Sequence, residues 1–328
     1  MLSALPYVLE STSDGRDRTA EIEACLKNYG ACMLGAGLFT VRGIEMPDGT
    51  SLSGIGSATR LLLDPALDEG FTVRIGSFCS VKDLSVIGSE DPIPLPEAVG
   101  KRHGLSFLGT ATPHDWENQP RNSIVHGCII RAFTGGGLTC IDTGYSIHSS
   151  LTASDCHILN CGAGIYIPHF SEYHEFTNML CCENLYGCIN NGGNNVFANC
   201  GFNANKIGFV IDNADGKACN NSHGSVSACT FNHSDSNTGI GIHLIGANVG
   251  YVFSACQVFY SKIILENSDD ILFHSFNFGR KSVIEITGGK LTMFTGCAFS
   301  AMPTVTVKDN PHVKFLNCFT KDGEAVEF

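Results

Sequence analysis

Carboxyl groups and aromatic rings are concentrated in four polar segments, 109–122, 167–178, 211–224 and 232–239, in the middle of this 328-residue chain. Glycoside hydrolysis uses two carboxyl groups, separated by about 5 to 5.5 Å for retention or about 6.5 to 9.5 Å for inversion. Aromatic rings beside carboxylates also suit a sugar-binding cleft. The catalytic candidates are Asp212, Glu172, Glu175, Asp142, Asp235 and His223, and the binding candidates are Trp116, Tyr173, His174, Asn190, Asp215 and His233.

These segments interrupt a repeat in which a cysteine, or in one unit a serine, precedes an aromatic or aliphatic residue. The anchors are Cys128, Cys156, Cys182, Cys200, Cys229, Cys256, Ser275, Cys297 and Cys318, at intervals of 18 to 29 residues. Each unit contains short runs of period-2 alternation, as in "SVIEITGGKLTMFTGCAFS", and this pattern predicts strands rather than helices. The intervals fit the coils of a parallel β-helix. The predicted fold is therefore all-β, a single solenoid domain over residues 1–328.

The repeated cysteines are predicted to be structural. Equivalent residues of stacked coils lie about 4.8 Å apart, so each cysteine is expected to pack on the next as a small, reduced, buried apolar group. A metal or redox role would need converging thiols with a basic or liganding environment. The segment "HFSEYH" has suitable side chains but no metal-binding spacing. We therefore expect neither a metal nor a cofactor.

The first 65 residues have a different organisation. A short helix is predicted from Thr19 to about Tyr29, followed by the glycine-bearing segments "GAGLF" and "LSGIGSAT". This passage resembles the opening of the pectate-lyase-like superfamily of right-handed parallel β-helices, and with the coils the resemblance covers nearly the whole chain. It implies an N-terminal cap with the first coils in 1–65, coils with loop excursions in 66–328, and a tailspike-like homotrimer. The superfamily includes lyases, hydrolases, epimerases and phage tailspikes, so the resemblance predicts fold more than activity.

Asp212 with Glu172 or Glu175 is the leading carboxyl pair, and Asp142 and Asp235 are the reserves. In the register inferred from the sequence, the first strands of successive coils end at Asp142, Pro168, Asn190, Asp212, Ile245 and Glu266. Only Asp212 then has a polar stacked neighbour, Asn190. The 167–178 loop begins two coils earlier, about 10 Å away, so it must lean over the intervening coil to complete the pair.

The net charge of −12 argues against nucleic acid and anionic membranes as partners, because both would be repelled. The start "MLSALPYVLESTSDGRDRTAE" has no basic region and no long apolar run, so neither a signal peptide nor a membrane anchor is predicted. This pattern would fit a cytoplasmic or virion-associated protein. A poly- or oligosaccharide is the expected partner.

A neutral glycan is favoured over an acidic one. Between residues 132 and 279 there is no arginine, and three lysines face 11 acidic residues. Elimination from a uronate needs a basic residue and cation assistance, so a lyase or epimerase is disfavoured. We expect a glycoside hydrolase. The rival hypothesis is a non-catalytic phage tail or receptor-binding protein whose loops bind glycan without cleaving it.

Overall fold

The structure is a computed structural model of the chain, and it consists of stacked coils of short parallel strands. It describes residues 7–12, 14–109, 120–141, 143, 150–168, 171–214, 223–233, 239–247, 250–280, 282–310 and 312–327. The described strands form two long parallel sheets, here called sheet A and sheet B. Every pairing between named strands is parallel and joins one coil to the next, which is the predicted β-helix.

Sheet B supplies one strand to each coil, and sheet A supplies two. The strands of sheet B are Ile44–Glu45, Gly70–Arg74, Arg102–Leu108, Gly136–Ile141, Ala163–Ile167, Tyr186–Asn190, Ile207–Asp212, Ile240–Ile245, Lys262–Glu266, Val283–Thr287 and Thr304–Lys308. Sheet A begins with Tyr7–Leu9, Ala31–Leu34, Gly37–Val41, Ser51–Leu63 and Ser80–Ile87. Its first half continues with Ser123–His126, Leu151–Ser154, Glu175–Thr177, Asn195–Ala198, Gly224–Ser227, Tyr251–Ser254, Ile271–His274, Thr292–Thr295 and Val313–Leu316. Its second half contains Ile129–Arg131, His157–Leu159, Leu180–Cys182, Gly201–Asn203, Thr230–Asn232, Gln257–Phe259, Asn277–Phe278, Ala298–Phe299 and Phe319–Thr320.

The N-terminal helix runs from Thr19 to Tyr29, as predicted, and packs on the first coils. It buries Ile22, Cys25 and Leu26 against them and ends at Gly30, whose positive φ of 72° lets its N–H bond the Leu26 carbonyl. The helix thus covers apolar residues at this end of the stack. Among the described residues, no helix has the length and apolar content needed to cross a membrane.

A sharp bend joins the two halves of sheet A in each coil, and it explains the repeated cysteine motif. The residue before the anchor adopts a positive φ, which favours glycine, asparagine and other small or polar residues. This column consists of Asp83, Gly127, Asp155, Asn178, Asn199, Ala228, Ala255, Ser275, Gly296 and Asn317. The next residue points into the core, and its backbone N–H is bonded in several coils by the thiol above it, as in Cys200 N–H to Cys229 Sγ at 3.3 Å. A thiol therefore fills a small apolar site and also bonds the bend.

Two of the predicted anchors were wrong. Cys182 is the last residue of its strand and lies beside Asn203, half-buried, while Met179 occupies the inward position between Cys156 and Cys200. Ser275 is the residue at the bend, with φ 51°, and Phe276 takes the inward position. The coil can therefore accept a large side chain at this position, and the cysteine pattern alone does not fix the register.

Thiol labelling should separate Cys182 from the other described cysteines. Those 14 are all buried, and burial raises the pKa of several, to about 12 for Cys161. In native protein we expect labelling at Cys182 only, among the described cysteines, and labelling of the rest after denaturation. Mass spectrometry of labelled peptides measures this. Rapid native labelling at Cys200, Cys229 or Cys256 would contradict the buried column.

The polar excursions leave the coils at two corners. Segments 109–122, 167–178 and 211–224 begin at or near the ends of sheet B strands and lead into sheet A, whereas 232–239 leads from sheet A back to sheet B. An excursion that the sequence reasoning missed, 88–101, also lies at the second corner. Asn160 pins it by bonding both the N–H and the carbonyl of Ile93, at 3.0 and 2.9 Å.

Candidate functional site

The candidate site lies at the corner where sheet B strands lead into sheet A, here called the loop corner. The turns 168–174, 191–194 and 213–223 leave this corner from three successive coils. Because each turn starts from a paired strand and ends at another, its described first and last residues are fixed by the stack. Two of these turns belong to the polar segments 167–178 and 211–224, of which 169–170 and 215–222 lie outside the described residues, and the third turn is 191–194.

The sequence register predicted that Asp212 stacks on Asn190, and this prediction was wrong. Asn190 pairs with Ile167, and the residue beside Asp212 is Asn191, whose Oδ1 accepts the Asp212 N–H at 2.8 Å. Since the side chains of a strand point alternately to its two faces, a register shift of one residue moves Asn190 to the opposite face from Asp212. Asn190 points into the core and is fully buried, whereas Asp212 is exposed and its Oδ1 accepts the Ala214 N–H at 3.1 Å.

Glu172 lies at the centre of the described part of the loop corner. Its side chain is almost fully buried, with the residue 6% exposed, and Oε2 accepts a hydrogen bond from Asn194 Nδ2 at 3.2 Å. Burial raises the pKa of the Glu172 carboxyl above its usual range, and the Asn194 bond and nearby His223 offset part of this increase. The Glu172 side chain therefore extends toward the turn that begins after Asp212 and ends at His223.

Gly193 makes this approach possible. A side-chain Cβ at this position would lie 2.7 Å from Glu172 Oε1 and 2.9 Å from the His223 ring, closer than real Cβ contacts allow. Glu172 and His223 thus come from turns two coils apart and meet over the backbone of the turn between them. The sequence reasoning missed Gly193 and Asn194, for which "NGGNN" gave only a turn signal.

Glu175 and Tyr173 have different surroundings from Glu172. Glu175 is the first residue of its sheet A strand, outside the turn, and is exposed between Thr152 and Val196. Tyr173 is half-buried at the tip of the turn, with φ 61°, and its N–H reaches the Gly193 carbonyl at 3.4 Å. Of the two candidate glutamates, the one at the loop corner is Glu172.

His174 and Asn190 are buried in the core, and His233 is half-buried with its ring hydrogen-bonded within the fold. His174 is fully buried, its Nδ1 accepts the Leu151 N–H at 3.0 Å, and Nε2 lies 3.2 Å from Thr143 Oγ1. Asn190 is also fully buried. His233 lies at the other corner, where its ring contacts Ser261 Oγ and the Asn205 carbonyl. Trp116, Asp142, Asp215 and Asp235 lie outside the described residues.

The outer face of sheet B carries two aromatic rings, Tyr166 and His103, that the sequence reasoning did not select. Tyr166 projects outward, half-buried, and its ring lies parallel to that of His103 with centroids 6.2 Å apart. Ile189 lies beside Tyr166 on the next strand of sheet B. Flat, partly apolar surfaces of this kind can pack against the faces of sugar rings.

Buried His174 should make the fold sensitive to acid. Burial lowers the pKa of His174 to about 3, whereas an unfolded histidine titrates near 6.5. Below pH 6.5 the unfolded chain therefore binds a proton that the native state does not, and stability falls as pH falls toward 3. At pH 5 this contributes a loss of roughly 2 kcal/mol, at about 1.4 kcal/mol per pKa unit.

The measurement is the pH dependence of the free energy of unfolding between pH 7 and 4. We expect His174→Gln to reduce the slope by the equivalent of one proton, because glutamine does not titrate. His157→Gln is the matched control, since His157 is exposed on sheet A. Equal slopes in wild type and His174→Gln would contradict the assignment.

Comparison with solved structures identifies the fold and leaves the activity open. The A-module of mannuronan C-5 epimerase AlgE4 from Azotobacter vinelandii is 15% identical, with a TM-score of 0.70 over 94% of this chain and 93% of that chain. The enzymatically active domain of tailspike protein 2 from bacteriophage CBA120 is 14% identical, with a TM-score of 0.59 over 94% of this chain and 45% of that chain. DFA-IIIase from Arthrobacter chlorophenolicus A6, crystallised with DFA-III, is 10% identical, with a TM-score of 0.60 over 92% and 85%.

These likenesses confirm the right-handed parallel β-helix. No protein-family model matches the sequence, and comparison with curated proteins finds no relative. Because an epimerase and a DFA-IIIase share this architecture, the function must be argued from the residues at the loop corner.

Proposed function

We propose that the loop corner binds and hydrolyses a neutral oligo- or polysaccharide, with Glu172 as general acid and Asp212 as the second carboxyl group. The observation that supports this most is the meeting of Glu172 with Asn194 and His223, which come from the next two coils. Burial raises the pKa of the Glu172 carboxyl and so favours its protonated form, and a protonated carboxyl group can give its proton to a leaving sugar oxygen.

Asp212 has the properties that the second role requires. It is exposed, it stands at the end of a paired strand, and the turn that it begins returns to His223 beside Glu172. Its carboxylate would act on water or on the sugar carbon, depending on the separation from Glu172. Tyr166 on the outer face of sheet B would offer a surface on which a sugar ring stacks.

A panel of neutral and acidic glycans, assayed for release of reducing ends, tests the proposal. We expect cleavage within the neutral set, and we expect Asp212→Asn to lose most of it while retaining glycan binding. Cleavage that Asp212→Asn leaves undiminished would remove Asp212 from the site. Cleavage of acidic glycans alone would contradict the neutral substrate.

Binding of a glycan without any cleavage would favour the rival, a non-catalytic receptor-binding tail protein. The proposed hydrolysis would then be wrong, because the protein would bind the glycan and leave it intact. The expected homotrimer stays a prediction, and sedimentation at micromolar concentration measures it.

A further inference from the structure

The side chain of Asn195 forms hydrogen bonds with the backbone of the turn Ser171–His174, which contains Glu172. Asn195 is the first residue of the next sheet A strand, Asn195–Ala198. Its Oδ1 accepts the backbone N–H of His174 at 2.9 Å, and its Nδ2 donates to the backbone carbonyl of Ser171 at 3.2 Å. A single amide group therefore joins the two ends of the turn.

Asn195 is itself fixed by a chain of buried hydrogen bonds. Its Nδ2 also donates to Asn190 Oδ1 at 2.8 Å, and Asn190 Nδ2 donates to Tyr251 Oη at 2.8 Å. Asn195, Asn190 and Tyr251 are each fully buried. Hydrogen bonds are strong in such surroundings and costly to leave unmade, so the Asn195 side chain has a single favourable orientation.

The residues between the clamped ends are the ones that face the loop corner. Tyr173 has φ 61°, a left-handed conformation that is unfavourable for a residue with a side chain. Such a conformation persists when its surroundings over-determine it, and the bonds at Ser171 and His174 provide this. The same bonds fix the direction in which Glu172 leaves the turn, toward Gly193 and Asn194.

We propose that Asn195 is a positioning residue that clamps the turn Ser171–His174 and thereby aims the Glu172 carboxyl across the loop corner. This inference rests on the proposed role of Glu172, which Asn195 serves without touching the substrate. A misplacement of about 1 Å at a catalytic group can cost on the order of 100-fold in rate. The clamp should therefore influence the chemical step more than substrate binding.

Asn195→Ala tests the clamp, and Asn205→Ala is its matched control. Asn205 is also buried, at 2% exposure, and it makes the same two kinds of bond at the opposite corner. Its Oδ1 accepts the Asn184 N–H and its Nδ2 donates to the Cys181 carbonyl, both at 2.9 Å. Both substitutions should destabilise the fold similarly, because each leaves buried backbone groups unpaired.

We expect kcat to fall about 10- to 100-fold in Asn195→Ala with KM little changed, and to stay near wild type in Asn205→Ala. Hydrogen exchange by mass spectrometry supplies a second readout that needs no substrate. The peptide containing Ser171 to His174 should exchange faster in Asn195→Ala than in wild type, and at the wild-type rate in Asn205→Ala. If Asn195→Ala does not fold, Asn195→Asp replaces it, since it keeps the acceptor for His174 and loses the donor to Ser171.

Equal kcat values in the Asn195 and Asn205 variants would overturn the positioning role. Unchanged exchange of the turn in the Asn195 variant would overturn the clamp itself. If wild type cleaves no glycan but the turn exchanges faster in the variant, the clamp stands and the proposed function of Glu172 fails. The two failures are therefore distinguishable.

Discussion

Replacing Glu172 with glutamine should lower kcat for glycan cleavage by about 10²- to 10⁴-fold, the usual contribution of a general acid. Glutamine has nearly the same shape and can keep its contact with Asn194, whose Nδ2 donates to Glu172 Oε2. It has no proton to give to a leaving oxygen. Substrate binding should therefore persist while turnover is lost, because the difference is felt mainly in the transition state.

Glu175→Gln is the matched control for this substitution. Glu175 lies three residues further on, exposed on the outer face of sheet A, and its loss should change kcat by less than about threefold. The measurement is initial rates of reducing-end release, with binding followed separately by calorimetry. A large loss of kcat in Glu175→Gln together with full activity in Glu172→Gln would show that Glu175, and not Glu172, is the general acid.

Phe273→Ala should lower the free energy of unfolding by about 3 to 5 kcal/mol. Phe273 is fully buried in a column of aromatic rings that continues from coil to coil. Its ring centroid lies 5.1 Å from that of Phe253 and 4.8 Å from that of Phe294, both nearly parallel, and Phe276 meets its edge at 5.5 Å. Truncation removes these contacts and opens a cavity that the rigid stack cannot close.

Phe319→Ala gives the comparison at an exposed ring. Phe319 is 49% exposed in the last described coil, so its truncation should cost less than about 1 kcal/mol. Chemical denaturation followed by circular dichroism measures both variants. Equal losses at the two positions would contradict the packed aromatic column.

The architecture could be predicted from the sequence because a solenoid repeats its local rules. Alternating runs predicted the strands, and the helix Thr19–Tyr29 was confirmed at both ends. The position of each anchor could not be predicted as well. Met179 and Phe276 fill the inward position that cysteine fills in most coils. The cysteine pattern is therefore broken in these two coils, and the sequence predicted Cys182 at the position that Met179 occupies.

The candidate site was predictable as a region and not as a set of contacts. Carboxylates in long turns pointed to the loop corner, since loops on a rigid scaffold can be recognised from composition. The direction of each side chain depends on a single residue of register, which turned Asn190 inward. The burial of Glu172 and His174 depends on bonds from Asn194 and Asn195 one coil further on, and no local pattern encodes such contacts.

The protonation of Glu172 is the most direct test of the account, and it requires no knowledge of the glycan. Carbon-13 labelling of the glutamate side chains, with Glu172→Gln used to assign the resonance, allows its carboxyl group to be titrated by NMR. We expect a pKa above about 4.3, the ordinary value for glutamate, because burial disfavours the charged form of the Glu172 carboxyl. A pKa at or below the ordinary value would contradict a general-acid role for Glu172.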